Sequence, residues 1–514
     1  MQKFLPFLQW LPNYKKTDFS KDLVAGLTVG VILIPQAMAY AMIAGLPPVY
    51  GLYASIFPLL LYVLLGTSKH LGVGPVAMDS LLVAAGLGTL AISGIENYIT
   101  FAIFLAFLVG VIQLTLGIFR MGFLVNFLSK PVISGFTSAA VLIIIFSQLK
   151  HLFGANIARS NKFHELVLNA FEKVSEINAY DFGIGIVGII IIVLLKKWSR
   201  KIPSILLVVV LGILAVRFLN LERFGVKIVG DIPTGLPTFQ VPQINWDAVL
   251  SMWPIALTLA LVGYLEAISI GKALQDKEGI ETIDANQELV ALGSSNIVGS
   301  FFQAYPVTAS FSRSSIMGEI GVRTNLAGLF SLLLVVLTLL FLTPLFYYLT
   351  NAVLASIIMV SVFGLIDLGY AKNLWINRKD EFVVLIGTFI ITLFVGIPQG
   401  ILLGVLFSLL LMVYRTSNPH FAILGNIRDS DYYKNINRFS DEVVERDDLL
   451  IVRFDAQLYF GNAGYFKKRL FREIQRKGTP LKGVILNAEA INYIDSSAAV
   501  MLTNLIRDIH ERDI

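Results

Sequence analysis

The sequence predicts a polytopic α-helical membrane protein followed by a small α/β domain. Of its 514 residues, 56% are hydrophobic and only 15% are charged, and the mean hydropathy is +0.75, far above that of a soluble enzyme of this length. Charge-free runs of roughly 20 residues recur as far as residue 415, and a helix needs that length to cross about 30 Å of hydrocarbon. Lysine and arginine lie mostly in the short segments between these runs, which indicates membrane topology rather than a nucleic-acid surface.

The first half of the membrane part contains about seven spans. Residues 23–68 carry no charge and are long enough for two helices, with a break around the Gly-Leu-Pro-Pro segment 45–48. The third span is shorter and is interrupted by Gly74 and Pro75. The predicted spans after the first two are 70–93, 99–119, 131–149, 182–195 and 202–216.

The second half follows the same order, so that about fourteen spans are predicted in total. A polar loop at about residues 219–247 separates the halves. The predicted spans after it are 248–272, 288–302, the segment that contains Arg313, two helices within 324–366 split near Pro344, and two within 382–414 that turn at 396–400.

The positions of lysine and arginine predict the topology. Lys69, Arg120, Lys272, Arg323 and Arg415 all fall on one side of the membrane if the first helix starts in the cytoplasm, and the short loops on the other side have none. Both termini are therefore expected in the cytoplasm, and no signal-peptide pattern is found at the N-terminus. The domains predicted are a cytoplasmic N-terminal segment (1–20), a first repeat (21–218), an extracytoplasmic loop (219–247), a second repeat (248–415) and a cytoplasmic C-terminal part (416–514).

Arg313 marks the candidate substrate site. An arginine at membrane depth costs roughly 2.5 to 3.5 kcal/mol on insertion scales, so such a residue indicates function. Pro306 interrupts the apolar run before it, and hydroxyl groups crowd the point where a helix would restart. Hydroxyls and free backbone N–H groups at a helix start form an anion site, which the helix dipole strengthens.

A similar break occurs in the first half. The segment 74–80 resembles the segment 305–310, and a polar residue precedes each break at nearly the same distance, Gln36 in the first half and Glu266 in the second. With an odd number of spans in each half, the halves have opposite orientations. Matched breaks in inverted halves indicate a transporter site near the membrane centre, although a single Pro-Gly break often only kinks a helix.

Several motifs closely resemble the SulP sulfate permease and anion exchanger family, which includes prestin and the plant sulfate transporters. The resemblance covers essentially the whole chain, and these motifs lie at residues 35–40 (PQAMAY), 45–53 (GLPPVYGLY), 74–77 (GPVA), 286–293 (NQELVALG) and 310–314 (SFSRS). It implies a fold of fourteen helices in two inverted seven-helix repeats, shared with uracil transporters. The same resemblance implies a mobile core domain that moves against a gate domain, a homodimer and a cytoplasmic STAS domain.

The resemblance also implies a binding site between the starts of the third and tenth helices. Carried over to this sequence, the anion-binding positions are Gln36, Tyr40, Val76, Ala77, Phe311, Ser312 and Arg313. Glu266 matches the acid of the eighth helix that proton- or sodium-coupled relatives use.

Asp79 departs from the family pattern, in which an apolar residue usually stands at this position. A carboxylate there has three possible roles: it weakens anion binding, pairs with Arg313, or carries a coupling proton. Asp79 is therefore a second candidate for coupling, beside Glu266.

After Arg415 the composition becomes that of a soluble domain, which resembles a STAS domain. Residues 449–454 and 483–487 are predicted to form buried strands, residues 465–476 an amphipathic basic helix, and residues 498–512 a further helix. Ser496 is interpreted as the cap of that last helix in preference to a phosphorylation site. Since a complete domain of this kind has a further strand and helix, the C-terminal part is interpreted as an incomplete STAS domain.

Three functions remain open from the sequence. The first is a secondary transporter of inorganic oxyanions, sulfate first among them, coupled to protons or sodium and working by an elevator-type mechanism. The second is a bicarbonate or chloride exchanger or channel, and the third is a sensor whose occupancy the STAS domain reads out. An enzyme is disfavoured because no nucleophile, base and orienting group converge. The expected partners are the anion, the lipid bilayer and a second copy of the chain, with no cofactor, metal or nucleic acid, in a plasma membrane or bacterial inner membrane.

Overall fold

The protein is described by a computed structural model that covers residues 5–90, 92–123, 129–157, 160, 163–198, 203–242, 246–278, 283–428, 430–479 and 481–514. The chain forms two compact units, Met1–Val405 and Leu406–Ile514, and the division falls inside a helix. The domain boundaries given by the sequence stay predictions.

Within the residues that the structure describes, the first half of the membrane unit contains ten α-helices and one short strand. In chain order they are α1 (Phe7–Trp10), α2 (Lys16–Ala44), α3 (Val49–Tyr53), α4 (Phe57–Leu65), β1 (Val73–Gly74), α5 (Ala77–Gly88), α6 (Ile95–Ile118), α7 (Lys130–Leu152), α8 (Phe163–Glu172), α9 (Ala179–Trp198) and α10 (Ser204–Leu219).

The second half repeats this order up to the last membrane helix. Its elements are α11 (Trp246–Glu278), α12 (Ala285–Ser300), β2 (Thr308–Ala309), α13 (Phe311–Ile320), α14 (Leu326–Leu337), α15 (Asn351–Phe363), α16 (Leu368–Asn377), α17 (Lys379–Phe394) and α18 (Ile397–Ser417). A π-helical turn (Thr338–Leu342) and a 3-10 turn (Thr343–Phe346) extend α14.

The helices follow the predicted order of spans. Eight helices of the described residues are long and apolar enough to cross a membrane. Shorter helices occupy the other predicted spans, and α5 and α13 are short because each begins only after a strand has used the first part of its span. The predicted breaks are confirmed at Gly45, which ends α2 with φ +84°, and at Pro75 and Pro306, which lie in extended segments.

The membrane helices pack as two bundles. In the first bundle α12 packs against α6 and α4, and α2 packs against α14. In the second bundle α15 packs against α7 and α9, and α17 packs against α7. Glycine lets α12 and α6 approach closely: a Cβ on Gly293 would lie 2.4 Å from the backbone nitrogen of Leu114, and one on Gly110 would lie 2.6 Å from that of Ile297. Small residues of this kind let helix backbones meet in lipid.

One extended segment joins the two bundles. In this connecting segment, residues 226–240, the amide of Val229 donates a hydrogen bond to the carbonyl of Leu349, just before α15, at 2.8 Å. Farther along, the amide of Gln240 donates to the carbonyl of Phe301, just after α12, also at 2.8 Å. The segment is therefore fixed to the second bundle at its start and to the first bundle at its end.

The soluble part is a sheet covered by two helices. Its elements are β3 (Phe421–Ile427), β4 (Tyr433–Asn435), β5 (Val443–Val444), β6 (Leu449–Phe454), α19 (Phe460–Lys477), β7 (Gly483–Asn487) and α20 (Ser496–His510). The strand order is β4-β3-β6-β7, with β5 paired to β3, and only the β6–β7 pair is parallel. Phe454, Phe466 and Leu470 lie in the core between the sheet and α19.

Two predictions for this part are corrected. The strand at 449–454 alternates between buried and half-buried residues, and β7 has no buried residue because it lies at the edge of the sheet. The cap of α20 is Asp495, whose carboxylate accepts a hydrogen bond from the amide of Ala498 at 2.8 Å, and Ser496 is the first helical residue. A carboxylate is as good a cap as a hydroxyl, and it also interacts favourably with the helix dipole.

Candidate functional site

The candidate site is built around a crossing of two extended segments. The strands β1 and β2 pair in antiparallel fashion, with Val73 opposite Ala309 and Gly74 opposite Thr308. The helices α5 and α13 begin within three residues of these strands, and neither has a side-chain cap at its start. Their first backbone N–H groups thus have no capping side chain as acceptor, and the positive ends of both helix dipoles lie at this crossing.

Two glycines make this crossing possible. Gly74 has φ +152°, a conformation that side chains rarely adopt. A Cβ on Gly72 would lie 2.9 Å from the Cβ of Arg313, too close for any larger residue without a shift of the backbone. The sequence therefore needs glycine at both positions to bring the two segments together.

Arg313 holds the crossing together. Its side chain is fully buried, and its Nη1 donates to the carbonyl of Pro75 at 3.0 Å. Its Nη2 and Nε donate to the carbonyl of Gly72 at 3.2 and 3.4 Å. The predicted charge is therefore at the junction of β1 and α5, and backbone carbonyls, which carry no full negative charge, leave the guanidinium with its net positive charge.

The hydroxyl groups near Arg313 are mostly engaged within the protein. Thr308 donates to the carbonyl of Gly263 at 2.6 Å, and the hydroxyl of Ser314 accepts from the amide of Gly72 at 3.0 Å. Ser310 and Ser312 share a hydrogen bond at 3.2 Å. Thr308 and Ser314 thus position the backbone, and the hydroxyl of Ser312 lies at the helix start.

The predicted positions on the two half-helices lie at the starts of these helices. Val76 is the half-buried residue before α5, and Ala77 is its first residue and is buried. Phe311, the first residue of α13, is 51% exposed, and Ser312 beside it is half-buried. An exposed phenylalanine beside a buried arginine gives this helix start one apolar and one charged side.

The predicted residues of α2 are buried one helical turn apart. Gln36 is 1% exposed, and its Oε1 has no hydrogen-bond partner. Tyr40 is 4% exposed and is close enough to Arg313 and Ser361 to interact with both. A buried amide oxygen without a donor is costly, so Gln36 is a polar group that a ligand could satisfy.

Asp79, the residue that departs from the family pattern, does not pair with Arg313. It is 2% exposed, and its Oδ1 has no hydrogen-bond partner. Its Oδ2 lies 3.1 Å from the place that a Cβ on Gly263 would occupy, so the carboxylate faces α11 rather than the guanidinium. Pairing with Arg313, one of the roles considered for Asp79, is therefore wrong for this conformation.

Glu266 lies on the same side of α11 as Gly263, about one turn farther along the helix. Its side chain is half-buried, and its carboxylate is close enough to Asp79 for the two charges to interact. The two candidate coupling residues thus lie together, although they come from different halves of the sequence.

Three polar residues that position the crossing of β1 and β2 were not predicted from the sequence. Glu288 is fully buried and accepts hydrogen bonds from the segment 67–68, which leads into β1. Asn296 pairs with both backbone groups of Val307, at 2.9 and 3.1 Å, next to β2. Asp22 accepts from the amide of Arg323, just after α13, at 2.7 Å. Glu288 lies at the edge of an apolar run, and the presence of an acid there could have identified it from the sequence.

Comparison with known proteins agrees with this architecture. Residues 19–388 match the model of the sulfate permease family, and residues 441–514 match that of the STAS domain. The chain is 38% identical to "Sulfate transporter 4.1, chloroplastic" of Arabidopsis thaliana, over 99% of this chain and 76% of the relative. It is 35% identical to human "Solute carrier family 26 member 6", over 91% of this chain and 64% of the relative.

A solved structure is also similar over nearly the whole chain. It is that of the murine Solute Carrier 26 family member A9 anion transporter in the inward-facing state, with a TM-score of 0.87 and 30% identity. The match covers 98% of this chain and 86% of that one. The two inverted halves and the soluble domain with strands are therefore found together in a known protein.

Proposed function

This chain belongs to the sulfate permease family, whose members transport anions across membranes, and from that premise we propose that it is a secondary active transporter of inorganic oxyanions, sulfate first among them. The observation that carries the proposal is the crossing of β1 and β2, where two helix starts and the buried guanidinium of Arg313 meet. Backbone N–H groups, two dipole ends and one arginine suit a compact anion at membrane depth. The proposed contact residues are Gln36, Tyr40, Val76, Ala77, Phe311, Ser312 and Arg313.

An elevator-type motion of one bundle against the other would carry the site across the membrane. In its support, the crossing of β1 and β2 and all the residues that position it belong to the first bundle. A cavity of about 240 Å³ lies where α2 and α5 face α7, lined by Ile43, Leu81 and Phe146. The bundles are therefore not tightly packed along this boundary, and the connecting segment, residues 226–240, joins them.

The transport would be coupled to a cation through Glu266 and Asp79. Two carboxylates close together in a buried place repel each other, so that binding of a proton or a sodium ion is favoured there. The cation would then enter together with the anion, since its charge offsets the carboxylates beside the anion site.

Bicarbonate is the second candidate substrate, and Asp79 favours it. The Oδ1 atom of Asp79 accepts no hydrogen bond, whereas bicarbonate carries an O–H group that could donate to it. Fully ionised sulfate has no such donor and would meet only repulsion from an ionised Asp79. The order of preference between the two anions therefore depends on whether Asp79 is charged.

We further propose a homodimer in a plasma membrane, with both termini in the cytoplasm. The distribution of lysine and arginine supports this topology.

Uptake into proteoliposomes tests the proposal. Labelled sulfate, bicarbonate and a dicarboxylate are offered under imposed proton or sodium gradients, to the wild type and to Arg313→Ala. We expect gradient-driven sulfate or bicarbonate uptake and at least a roughly tenfold loss of anion affinity in the variant, since a buried charge contact contributes more than 1.4 kcal/mol. Arg313→Lys should recover only part of it, because an ammonium cannot reach both carbonyls and the anion as the planar guanidinium can.

Arg323→Ala is the matched control. Arg323 lies in the same region of the chain, but its side chain is exposed and only its backbone amide bonds to Asp22. Wild-type anion affinity in a correctly inserted Arg313→Ala protein would remove the central claim.

A further inference from the structure

Three apolar side chains are exposed at one corner of the soluble part. Phe460, Tyr493 and Ile494 are 75%, 56% and 45% exposed. A parallel bridge between Leu458 and Ile494 and a hydrogen bond of 2.9 Å from the amide of Phe460 to Asp495 bring the start of α19 next to the segment before α20. The three side chains therefore form one surface, here called the corner patch.

The corner patch lies next to the end of a membrane helix. Asn462, in the first turn of α19, donates from Nδ2 to the carbonyl of Thr416, in the last turn of α18, at 3.3 Å. The stretch Gln399–Ser417 of α18 is long and apolar enough to cross a membrane, and Tyr414 near its end is 66% exposed. An aromatic residue at the end of a spanning helix marks the level of the lipid headgroups. Phe460 is two residues from Asn462 and is thus close to that level.

Exposed charges on the same helix have the sign that suits this position. Lys468 and Arg472 are exposed and lie eight and twelve residues after Phe460, roughly two and three turns farther along α19 and on the adjoining side of the helix. Basic side chains near a membrane surface are attracted to anionic lipids, by roughly 1 kcal/mol for each charge. The exposed surface of α19 is thus apolar where it is nearest to the membrane and basic farther on.

We propose that the corner patch is a lipid-binding surface, which inserts into the headgroup region of the leaflet from which α18 emerges. Aromatic and aliphatic side chains beside basic ones are the composition of such interfacial contacts. The link from Thr416 to Asn462 keeps the patch at the bilayer, so that even a weak contact is populated. The contact fixes the soluble domain against the membrane at the point where the chain leaves it.

A probe of accessibility tests this proposal in the full chain. The sequence has no cysteine, so one cysteine carries the only nitroxide label. Tyr493→Cys places it in the corner patch, and Phe460 and Ile494 remain. The matched control is Tyr432→Cys, since Tyr432 is 75% exposed and lies beside β4, at the opposite edge of the sheet. Both are reconstituted in vesicles of phosphatidylcholine with and without phosphatidylglycerol.

Relaxation by oxygen, which concentrates in lipid, is compared with relaxation by a water-soluble nickel chelate. We expect the oxygen-to-nickel ratio at Tyr493→Cys to exceed that at Tyr432→Cys by about threefold or more, and to rise with phosphatidylglycerol, as for an interfacial site. Adding Phe460→Asp should reduce the ratio at residue 493 towards that of the control. Equal ratios at both positions would overturn the proposal. Protection of residue 493 from both reagents would overturn it too, and would assign the patch to a contact with a second copy of the chain. Neither result depends on transport.

Discussion

Two buried carboxylates in the same helix bundle have opposite surroundings. Glu288 accepts hydrogen bonds from the hydroxyl of Tyr62 at 3.0 Å, from the amide and hydroxyl of Thr67 at 2.8 and 2.5 Å, and from the amide of Ser68 at 3.2 Å. Asp79 is buried to a similar degree, but its Oδ1 has no hydrogen-bond partner. Since donors stabilise the ionised form in a low dielectric, the carboxylate of Glu288 is well satisfied by its surroundings, whereas Asp79 gains by binding a proton or a ligand.

The surroundings of the two acids distinguish a structural role from a binding role, which the residue type alone does not. Asp79 lies within an apolar run of the sequence and Glu288 at the edge of one, and an ionisable residue in such a run indicates function. The number of donors around each carboxylate assigns Glu288 to holding the segment before β1 and leaves Asp79 available for binding. Removal of the two side chains should therefore have opposite effects on stability.

The largest effect is expected for Glu288→Ala. This change leaves the amides of Thr67 and Ser68 and the hydroxyl of Thr67 without their acceptor, while the hydroxyl of Tyr62 keeps the carbonyl of Ser68. Each buried donor left unsatisfied costs about 1 to 3 kcal/mol. We expect the free energy of unfolding to fall by about 3 kcal/mol or more, with a loss of monodisperse protein. The midpoint of thermal unfolding, followed by size-exclusion chromatography in detergent, measures it.

Asp79→Asn is the matched control for that change. It removes a charge that no donor satisfies, so the unfolding midpoint should stay the same or rise. A fall as large as that of Glu288→Ala would show that Asp79 is structural as well, and would end the distinction between the two acids.

The fold was largely predictable from the sequence because lipid imposes strong rules. A charge-free run of the right length is expected to be a helix, and the matched interruptions in the two halves indicated real breaks, so the breaks at Pro75 and Pro306 were found. Arg313 stood out for the same reason. The partners of Arg313 are backbone carbonyls, however. Every residue has such a carbonyl, so the residue types do not show which of them a side chain contacts. The roles of Glu288 and Asn296 were missed because their partners are mostly backbone groups of segments far away in the chain.

The second prediction concerns coupling, and it tests the binding role given to Asp79. Glu266→Gln mimics a protonated acid, so the variant should retain anion exchange but lose acceleration by an inward proton gradient, or its sodium dependence if sodium is the coupling ion. Asp79→Asn should weaken the same acceleration, since the two carboxylates interact. We expect a loss of about tenfold in gradient-driven uptake, because a proton gradient of one pH unit is worth 1.36 kcal/mol.

Uptake under imposed gradients, compared with exchange at zero gradient, separates the two acids. Full gradient-driven uptake in Glu266→Gln, together with its abolition in Asp79→Asn, would move the coupling role to Asp79 alone. Full coupling in both variants would reject a cation site at this pair.

A smaller effect is expected for Tyr62→Phe, which removes a single donor from Glu288. The hydroxyl of Tyr62 bonds to the carboxylate and also to the carbonyl of Ser68 at 3.2 Å, but three donors remain on Glu288. We expect a loss of about 1 kcal/mol in the free energy of unfolding, the net value of one hydrogen bond. Denaturation in detergent measures the loss, and one as large as that of Glu288→Ala would mean that the donors do not act independently.

The smallest effect is expected at a third carboxylate, Asp455, which has partners but lies partly in water. Its oxygens accept from Arg453 at 2.6 and 3.2 Å, and the Nδ1 of His420 lies 2.8 Å away. Partial burial alone would raise the pKa of Asp455, but the hydrogen bonds from Arg453 and His420 outweigh it, so the pKa lies below the ordinary 3.8. A carboxyl with a lowered pKa stabilises the fold above its unfolded pKa, and this contribution is lost as the pH falls through the folded pKa.

We therefore expect Asp455→Asn to weaken the pairing of β3 with β6 at pH 7 by about 1 kcal/mol or less, because exposed ion pairs contribute little. Amide hydrogen exchange in the full chain, corrected for the intrinsic rate at each pH, should be faster in both strands by a factor of up to about five. The difference should vanish below the folded pKa of Asp455, where the wild type has also lost the charge. Asp441→Asn is the control on the same domain, since Asp441 is exposed and accepts a hydrogen bond from the hydroxyl of the neighbouring Ser440. A difference that persists at low pH would show that the shape of the Asp455 side chain, not its charge, holds the two strands.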